Sequence, residues 1–378
     1  MTTAATPDYS RNASPYLYGD EAAAVTRVLE SGQYGHTGIT EQFECGIAAF
    51  LGVGDVVAVA SGTAALHTAL LAADIGPGHE VIVPSMTFCA TVQAVLAAGA
   101  TPRFVDIEPA TLCVSHQLVM DAVTGRTRAV IPVHFGGRAV DLSLIREELA
   151  ARNIVVIEDA AHSFGSRLGE GRVGASGDLT CFSFGPIKNL TCGQGGAIVP
   201  RTRTEADTIR RIRLLGIVQS QAERAQTTGY SVTGFGLGYQ MSGINAAIGL
   251  AQLAHFEQAE ATRRALWHAY RNAFAPLNHR VTLIDVDPER SVPHLCQVRV
   301  PARDTVFTQL KARGIGVGVH YPPNHLQPAF GRWRRDLPAT EHVAGEILTL
   351  PFHQHLAETD IDHVVTALGE VLTSVGTA

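Results

Sequence analysis

Two residues of this chain sit where reactive groups belong, Asp159 and Lys188. Asn153–Ile157 is a continuous run rich in β-branched residues, the pattern of a strand buried on both faces. Glu158 and Asp159 follow at its C-terminal end, where open α/β sheets place their ligands. A second apolar run, Leu179–Phe184, leads into a loop that sets Lys188 among Phe182, Phe184, Pro186 and Ile187. No further lysine occurs until Lys311. Apolar surroundings disfavour an ammonium ion, so such a lysine can stand as a neutral amine and attack an aldehyde. An aspartate after one buried strand and a lysine after another is the minimum pair for pyridoxal 5'-phosphate chemistry. Glu158 reads as an ordinary strand-end carboxylate and takes no role.

The elements that must position this pair alternate along the chain. Asp55–Ala60 reads as a strand, followed by Ser61-Gly62-Thr63-Ala64 and an Ala-rich helix to Ala73. Glu80–Val83 is the next strand, followed by Pro84–Thr91 and a helix to Ala98. Arg103–Val105 and Arg128–Val133 are further strands, and Asp141–Arg152 is a helix. Strands alternating with helices indicate βαβ units and a mostly parallel sheet. Gly195–Val199 adds a strand at an edge or antiparallel to the rest. Backbone amides where Gly62, Thr63 and Ala64 open a helix, with the Thr63 hydroxyl, make a phosphate site that needs no basic side chain. Leu214–Gly238 lacks periodicity and reads as a long loop, functional or mobile at that length.

Met241–Phe274 is helical, in one or two pieces. Val281–Val286, His294–Val300 and Ile315–Tyr321 then read as strands, and Thr305–Arg313, Glu341–Ile347 and Asp360–Leu372 as helices. This division gives a large unit over residues 1–255 and a smaller α+β unit over 256–378. The polar Met1–Ser14 reads as poorly ordered.

Composition removes several classes of function. A net charge of −6 with 29 dispersed basic residues offers nucleic acid no patch. Apolar stretches such as Ala94–Ala100 fall far short of the roughly 20 residues a membrane span needs. The six cysteines show no C-x-x-C and no metal-ligand spacing, and no signal peptide opens the chain, so a cytoplasmic protein with reduced thiols and no metal is expected. There is no G-x-S-x-G, no P-loop and no G-x-G-x-x-G after a strand to suggest a hydrolase or nicotinamide enzyme.

An ordered set of short segments carries a resemblance: S-G-T-A-A-L (61–66), P-S-M-T-F-C-A-T (84–91), V-H-F-G-G (133–137), I-E-D-A-A-H (157–162), C-F-S-F-G-P-I-K-N (181–189) and H-Y-P (320–322). From about Tyr16 to Gly369 the chain resembles the DegT/DnrJ/EryC1/StrS family of sugar aminotransferases, which are fold-type I pyridoxal phosphate enzymes. The resemblance implies an α/β fold with a large, mostly parallel seven-stranded sheet domain and a smaller α+β C-terminal domain. It implies Lys188 as the lysine that forms the internal Schiff base and moves the proton, and Asp159 as the partner of the pyridine nitrogen. Ser183 would join Gly62, Thr63 and Ala64 at the phosphate, Phe88 would stack on the ring, and His162 would lie near it. Thr37, His320 and Tyr321 resemble substrate-side residues.

The implied reaction moves an amino group from glutamate or glutamine to a keto-sugar, nucleotide-linked, or to a keto-cyclitol, in a homodimer with shared sites. Two alternatives share the cofactor: a sugar dehydratase or lyase, whose relatives carry His at the position of Lys188, and a non-catalytic regulatory protein. Three positions depart from the family pattern. Gly238 stands where an asparagine reaches the neighbouring subunit's phosphate, Gln240 where arginine is usual, and Gln194 where glutamate is usual.

Overall fold

A computed structural model describes residues 7–219, 223–224 and 226–375. Strands β1 (Val57–Val59), β2 (Glu80–Pro84), β3 (Thr101–Val105), β4 (Thr127–Val130), β5 (Val155–Asp159), β6 (Leu179–Ser183) and β7 (Gly196–Val199) form one seven-stranded sheet, ordered β1-β7-β6-β5-β4-β2-β3. The pairs from β6 through β5, β4 and β2 to β3 are parallel, and β7 runs antiparallel to both its neighbours. Antiparallel is one of the two settings expected of β7; an edge is the other, and β7 is internal. All four of its residues are buried, which suits a strand flanked on both sides.

Helices α1 (Glu21–Ser31), α2 (Gly38–Leu51), α3 (Gly62–Ala72) and α4 (Cys89–Ala97) precede or connect these strands, and α5 (Arg203–Arg213) follows β7. Helix α3 is buried continuously from Ala64 to Leu70, as its Ala-rich, nearly all-round apolar sequence requires. Together with α4 it closes one core over all seven strands. A second core, on Phe43, Ile47, Phe164, Phe182 and Phe184, joins α2 to the opposite side of the sheet.

Helices α6 (Gly243–Ala254) and α7 (Phe256–Ala273) break at His255. Beyond them lies a three-stranded antiparallel sheet of β8 (Thr282–Leu283), β9 (Cys296–Arg299) and β10 (Ile347–Leu350). Two expectations change here. Ile347–Leu350, whose first residue reads in sequence as the end of a helix, is a fully buried strand. Ile315–Tyr321 makes only an isolated bridge, Gly318 to Thr349, because the Gly316 amide bonds instead to the Tyr9 carbonyl at 2.8 Å. That bond also corrects the reading of the N-terminal stretch. From Pro7 onward it packs along the small sheet, with the Phe352 amide on the Asn12 carbonyl at 2.9 Å and His353 Nε2 3.1 Å from the Asp8 carbonyl. Residues 1–6 lie outside the described residues.

The stretch 214–238 is an irregular hairpin, bridged at Leu214–Gly238 and Ile217–Val232, with Tyr230, Val232 and Phe235 exposed; 220–222 and 225 lie outside the described residues. Its base hangs on a buried ion pair. Arg213 donates to Glu44 at 2.5 Å and to the Ala58 carbonyl at 2.7 Å, while Glu44 accepts the Ala58 amide at 2.8 Å. One carboxylate thus ties α2 and α5 to β1. Breaking such a pair strands a desolvated charge. Glu44→Ala is expected to destabilise the protein by about 3–5 kcal/mol, read as a lower urea midpoint, and Glu44→Gln, which keeps an acceptor, by less.

Candidate active site

The ends of β5 and β6 and the start of α3 converge on a cavity of about 190 Å³. Of the residues singled out in the sequence, Gly62, Thr63, Phe88, Asp159, His162, Ser183 and Lys188 line it, together with Gln194.

Asp159 is the last residue of β5 and only 5% exposed. Its carboxylate accepts the Thr91 hydroxyl at 2.7 Å and the Ala161 amide at 3.2 Å, and Thr87 Oγ1 lies 2.9 Å behind Thr91 Oγ1. Burial pushes the Asp159 pKa up, against these hydrogen bonds and the nearby Lys188 charge. Thr87 and Thr91 are not among the residues that the sequence singles out. A signal for them exists: two hydroxyls four residues apart meet on one side of a helix start.

Lys188 sits in the turn after β6, where its amide bonds to the Gly185 carbonyl at 3.1 Å. Burial lowers its amine to about 8, and Asp159 works in the opposite direction. The following residue pins the turn. Asn189 Nδ2 donates to the Val292 carbonyl at 2.9 Å, and its Oδ1 lies 2.9 Å from His294 Nδ1.

At the start of α3, Ser61 caps the helix by accepting the Ala64 amide at 3.0 Å. Ala64 is therefore placed differently from the sequence expectation: its amide is committed, and the residue is buried outside the cavity wall. The amides of Gly62 and Thr63 have no hydrogen-bond partner among the described residues. Gly62 is required by space, since a Cβ there would lie 2.6 Å from Ser183 Cβ.

His162 is 5% exposed, with Nε2 3.2 Å from the Tyr321 hydroxyl and its ring centroid 4.3 Å from that of His294. Its buried Nδ1 has no partner among the described residues. Burial, then the charge on Lys188, holds this imidazole well below its usual pKa, so it is neutral. Phe88 is 56% exposed, and its ring centroid lies 5.6 Å from that of Tyr321. Tyr321 thus reaches the site through Phe88 and His162. His320 bonds Thr349 Oγ1 at 2.9 Å, and burial, followed by Lys188, lowers its pKa to about 4.

The remaining candidates lie elsewhere in the single chain. Thr37 and Gln240 line a separate open groove with His36 and Arg213. Gly238 is exposed, and a Cβ there would meet nothing within 4 Å, so packing does not enforce its missing side chain. Gln194 is the one departure that lines the cavity with Lys188.

Unpaired amides at a helix start suit a phosphate. A buried carboxylate suits a protonated ring nitrogen, and an amine of lowered pKa suits an aldehyde. The unpartnered His162 Nδ1 leaves one more polar contact to be filled. The cavity's groups therefore fit pyridoxal phosphate. The lysine gives a direct test. In the cofactor-free protein, acetylation of Lys188 followed by mass spectrometry should rise with pH with a midpoint near pH 8, because only the neutral amine reacts. Asp159→Asn removes the anion that favours the ammonium form and should move that midpoint to lower pH.

Residues 15–369 match the model of the DegT/DnrJ/EryC1/StrS aminotransferase family. Among solved structures, DesV from S. venezuelae, in complex with a ketimine intermediate, is 36% identical with a TM-score of 0.86, over 93% of this chain and 94% of DesV. The aminotransferase TlmJ from Streptoalloteichus hindustanus is 31% identical with a TM-score of 0.90, over 97% and 99% of the two chains. A Streptococcus pneumoniae protein assigned as a sugar aminotransferase, solved in PLP and PMP forms, is 27% identical in its PLP form, with a TM-score of 0.89 over 96% and 98%. No helix among the described residues is long and apolar enough to cross a membrane, and no group of three or more His, Cys, Asp or Glu among them could hold a metal ion. The match along nearly the whole chain and the cavity's chemistry agree: the chain belongs to the DegT/DnrJ/EryC1/StrS aminotransferase family, and its cofactor is pyridoxal phosphate.

Proposed function

We propose that the protein transfers an amino group from glutamate or glutamine to a keto-sugar, nucleotide-linked, or to a keto-cyclitol, in the cytoplasm. The observation that carries this reading is that Lys188 and Asp159 line one cavity together with Gly62 and Thr63, whose amides are unpaired among the described residues. The sugar class rests on neighbours described as sugar aminotransferases, from Streptococcus pneumoniae and Micromonospora echinospora.

Pyridoxal phosphate, when bound, supplies the carbonyl that receives the amino group and the electron-poor ring that spreads the charge left at carbon. The protein's part is to hold and move protons. Asp159 would keep a proton on the ring nitrogen, and the Thr91 and Ala161 hydrogen bonds favour its carboxylate form. Lys188 would carry the proton between substrate carbon and cofactor carbon. With its pKa at about 8, roughly one-tenth of it is neutral at pH 7, far more than for an ordinary lysine. The Gly62 and Thr63 amides with the Ser183 hydroxyl would bind phosphate, Phe88 would cover the ring, and neutral His162 would offer its free Nδ1. His320 and Tyr321 would border the substrate.

Thr37, Gly238 and Gln240 lie away from Lys188 in their own chain, and we assign them to the cavity of a second subunit in a homodimer. The exposed Tyr230, Val232 and Phe235 beside that groove support burial against such a partner. In that arrangement Gly238 gives the phosphate no side chain where the family asparagine would reach it, which leaves the α3 amides as its main donors, and Gln240 offers no guanidinium to the amino-donor or substrate pocket.

The test is a panel of nucleotide-linked keto-sugars and keto-cyclitols with L-glutamate or L-glutamine, read by mass spectrometry. An amine product with one donor consumed per turnover is expected. Loss of water without donor consumption would replace this reading with a dehydratase. Lys188→Ala should lower turnover by at least about 10²–10⁴-fold, the range for a lost general acid–base group.

A further inference from the structure

Ser85, His325 and Glu341 are linked in the order of a nucleophile, a base and an orienting carboxylate. Ser85 Oγ lies 2.5 Å from His325 Nδ1, and His325 Nε2 lies 3.1 Å from Glu341 Oε1. They do not form a hydrolytic site. Ser85 and His325 are both 0% exposed, and Ser85 Oγ already accepts the His325 amide at 3.0 Å. A consistent assignment has Nε2–H donating to Glu341, Nδ1 accepting the Ser85 hydroxyl and Ser85 accepting His325 N–H. The result is a closed arrangement with no free nucleophile and no path for substrate.

Its place in the fold indicates another task. Ser85 follows β2 and lies three residues before Phe88, while His325 lies four residues after Tyr321. Asn324 adds three bonds between the same segments. Its amide and its Nδ2 both donate to the Ser85 carbonyl at 3.0 Å, and Nδ2 also donates to the Thr87 carbonyl at 2.6 Å. Asn324 is 2% exposed, so these bonds form out of water, where leaving one unmade is expensive. The His325 ring packs 6.3 Å from Phe104 of β3, and Glu341 anchors its far side from the helix Pro338–Glu346. Two segments far apart in sequence are thereby fixed to each other close to Phe88, which lines the cavity, and to its aromatic neighbour Tyr321.

We propose that Ser85, Asn324 and His325 are positioning residues that set Phe88 and Tyr321 as one wall against the bound cofactor. Phe88, at the N-cap of α4, is more than half exposed, and its aromatic neighbour, Tyr321, belongs to another segment. The clamp removes the freedom of both segments before the cofactor arrives, so binding does not have to order them. The inference rests on the cofactor and not on the identity of the keto substrate.

The experiment measures the Kd of pyridoxal phosphate by absorbance titration, with thermal unfolding in parallel, for His325→Gln and Asn324→Ala, each alone and combined with Phe88→Ala. Each clamp variant is expected to weaken cofactor binding about five- to tenfold in the native background and by a much smaller factor once Phe88 is absent, as for residues coupled through a shared contact. Should either variant fail to fold, Ser85→Ala, which deletes one hydroxyl, takes its place in the cycle. Native affinity in the clamp variants would overturn the proposal. So would factors that simply multiply in the Phe88→Ala background, because they would mean a general loss of stability and not a lost wall.

Discussion

The approach of the α3 N-terminus to the ends of β6 and β7 is the constraint on which the site depends. At Gly62 an added Cβ would lie 2.6 Å from Ser183 Cβ, and at Gly196 it would lie 2.4 Å from the Ser61 carbonyl oxygen. Two glycines therefore let a helix start sit directly over two strand ends. Ser61 commits its hydroxyl to Ala64, which steadies the first turn, while the amides of Gly62 and Thr63, two residues that line the cavity, stay unpaired among the described residues. Parallel pairing of β5 with β6, in register at Asp159 and Cys181, then brings the aspartate and the turn bearing Lys188 to the same edge. Both ends of the cavity, the α3 start and the edge that bears Asp159 and Lys188, are consequences of one packing decision.

Placing a carboxylate and an amine on such an edge sets their chemistry. Burial pushes Asp159 up and Lys188 down, toward neutrality in both, while each draws the other toward its charged form. Local hydrogen bonding breaks the symmetry. Asp159 has Thr91 and Ala161 as donors to its carboxylate, whereas burial and the Asp159 charge are what act on the Lys188 amine. The Asp159 carboxylate thus has donors that oppose the upward push of burial, while on Lys188 burial outweighs the Asp159 charge and lowers the amine to about 8. His162 and His320, both pushed down by burial with Lys188 as a further cause, add neutral polar groups and no competing charge.

This centre is legible in the sequence because its parts are local. Strand runs ending in Asp159 and Ser183, and a glycine between strand and helix, are patterns within a few residues. What the sequence hides depends on contacts between stretches far apart in the chain. The Thr87–Thr91 relay needs α4 set against β5, and the His294–Asn189 bond needs the small sheet set against the Lys188 turn. Ile347–Leu350 does not read as a strand because its partner, Cys296–Arg299, is remote in sequence, and apolar runs this short have no decisive period. The N-terminal stretch misleads for a related reason. A polar composition describes its side chains, while its order comes from backbone bonds to Gly316 and Phe352.

The three departures from the family pattern separate once they are placed. Gln194 shares the cavity wall with Lys188, and glutamine in place of glutamate there leaves Asp159 as the only anionic side chain lining it among the described residues. Fewer anions near the amine mean less stabilisation of its ammonium form, so this substitution acts in the same direction as burial on Lys188. Gly238 is exposed and Gln240 lines the outer groove, and packing around Gly238 leaves open space where a side chain could stand. One departure therefore stands beside Lys188 at the centre, and the other two stand outside that cavity's wall in the same chain. The cavity around Lys188 and the groove lined by Gln240 are built from different stretches of chain.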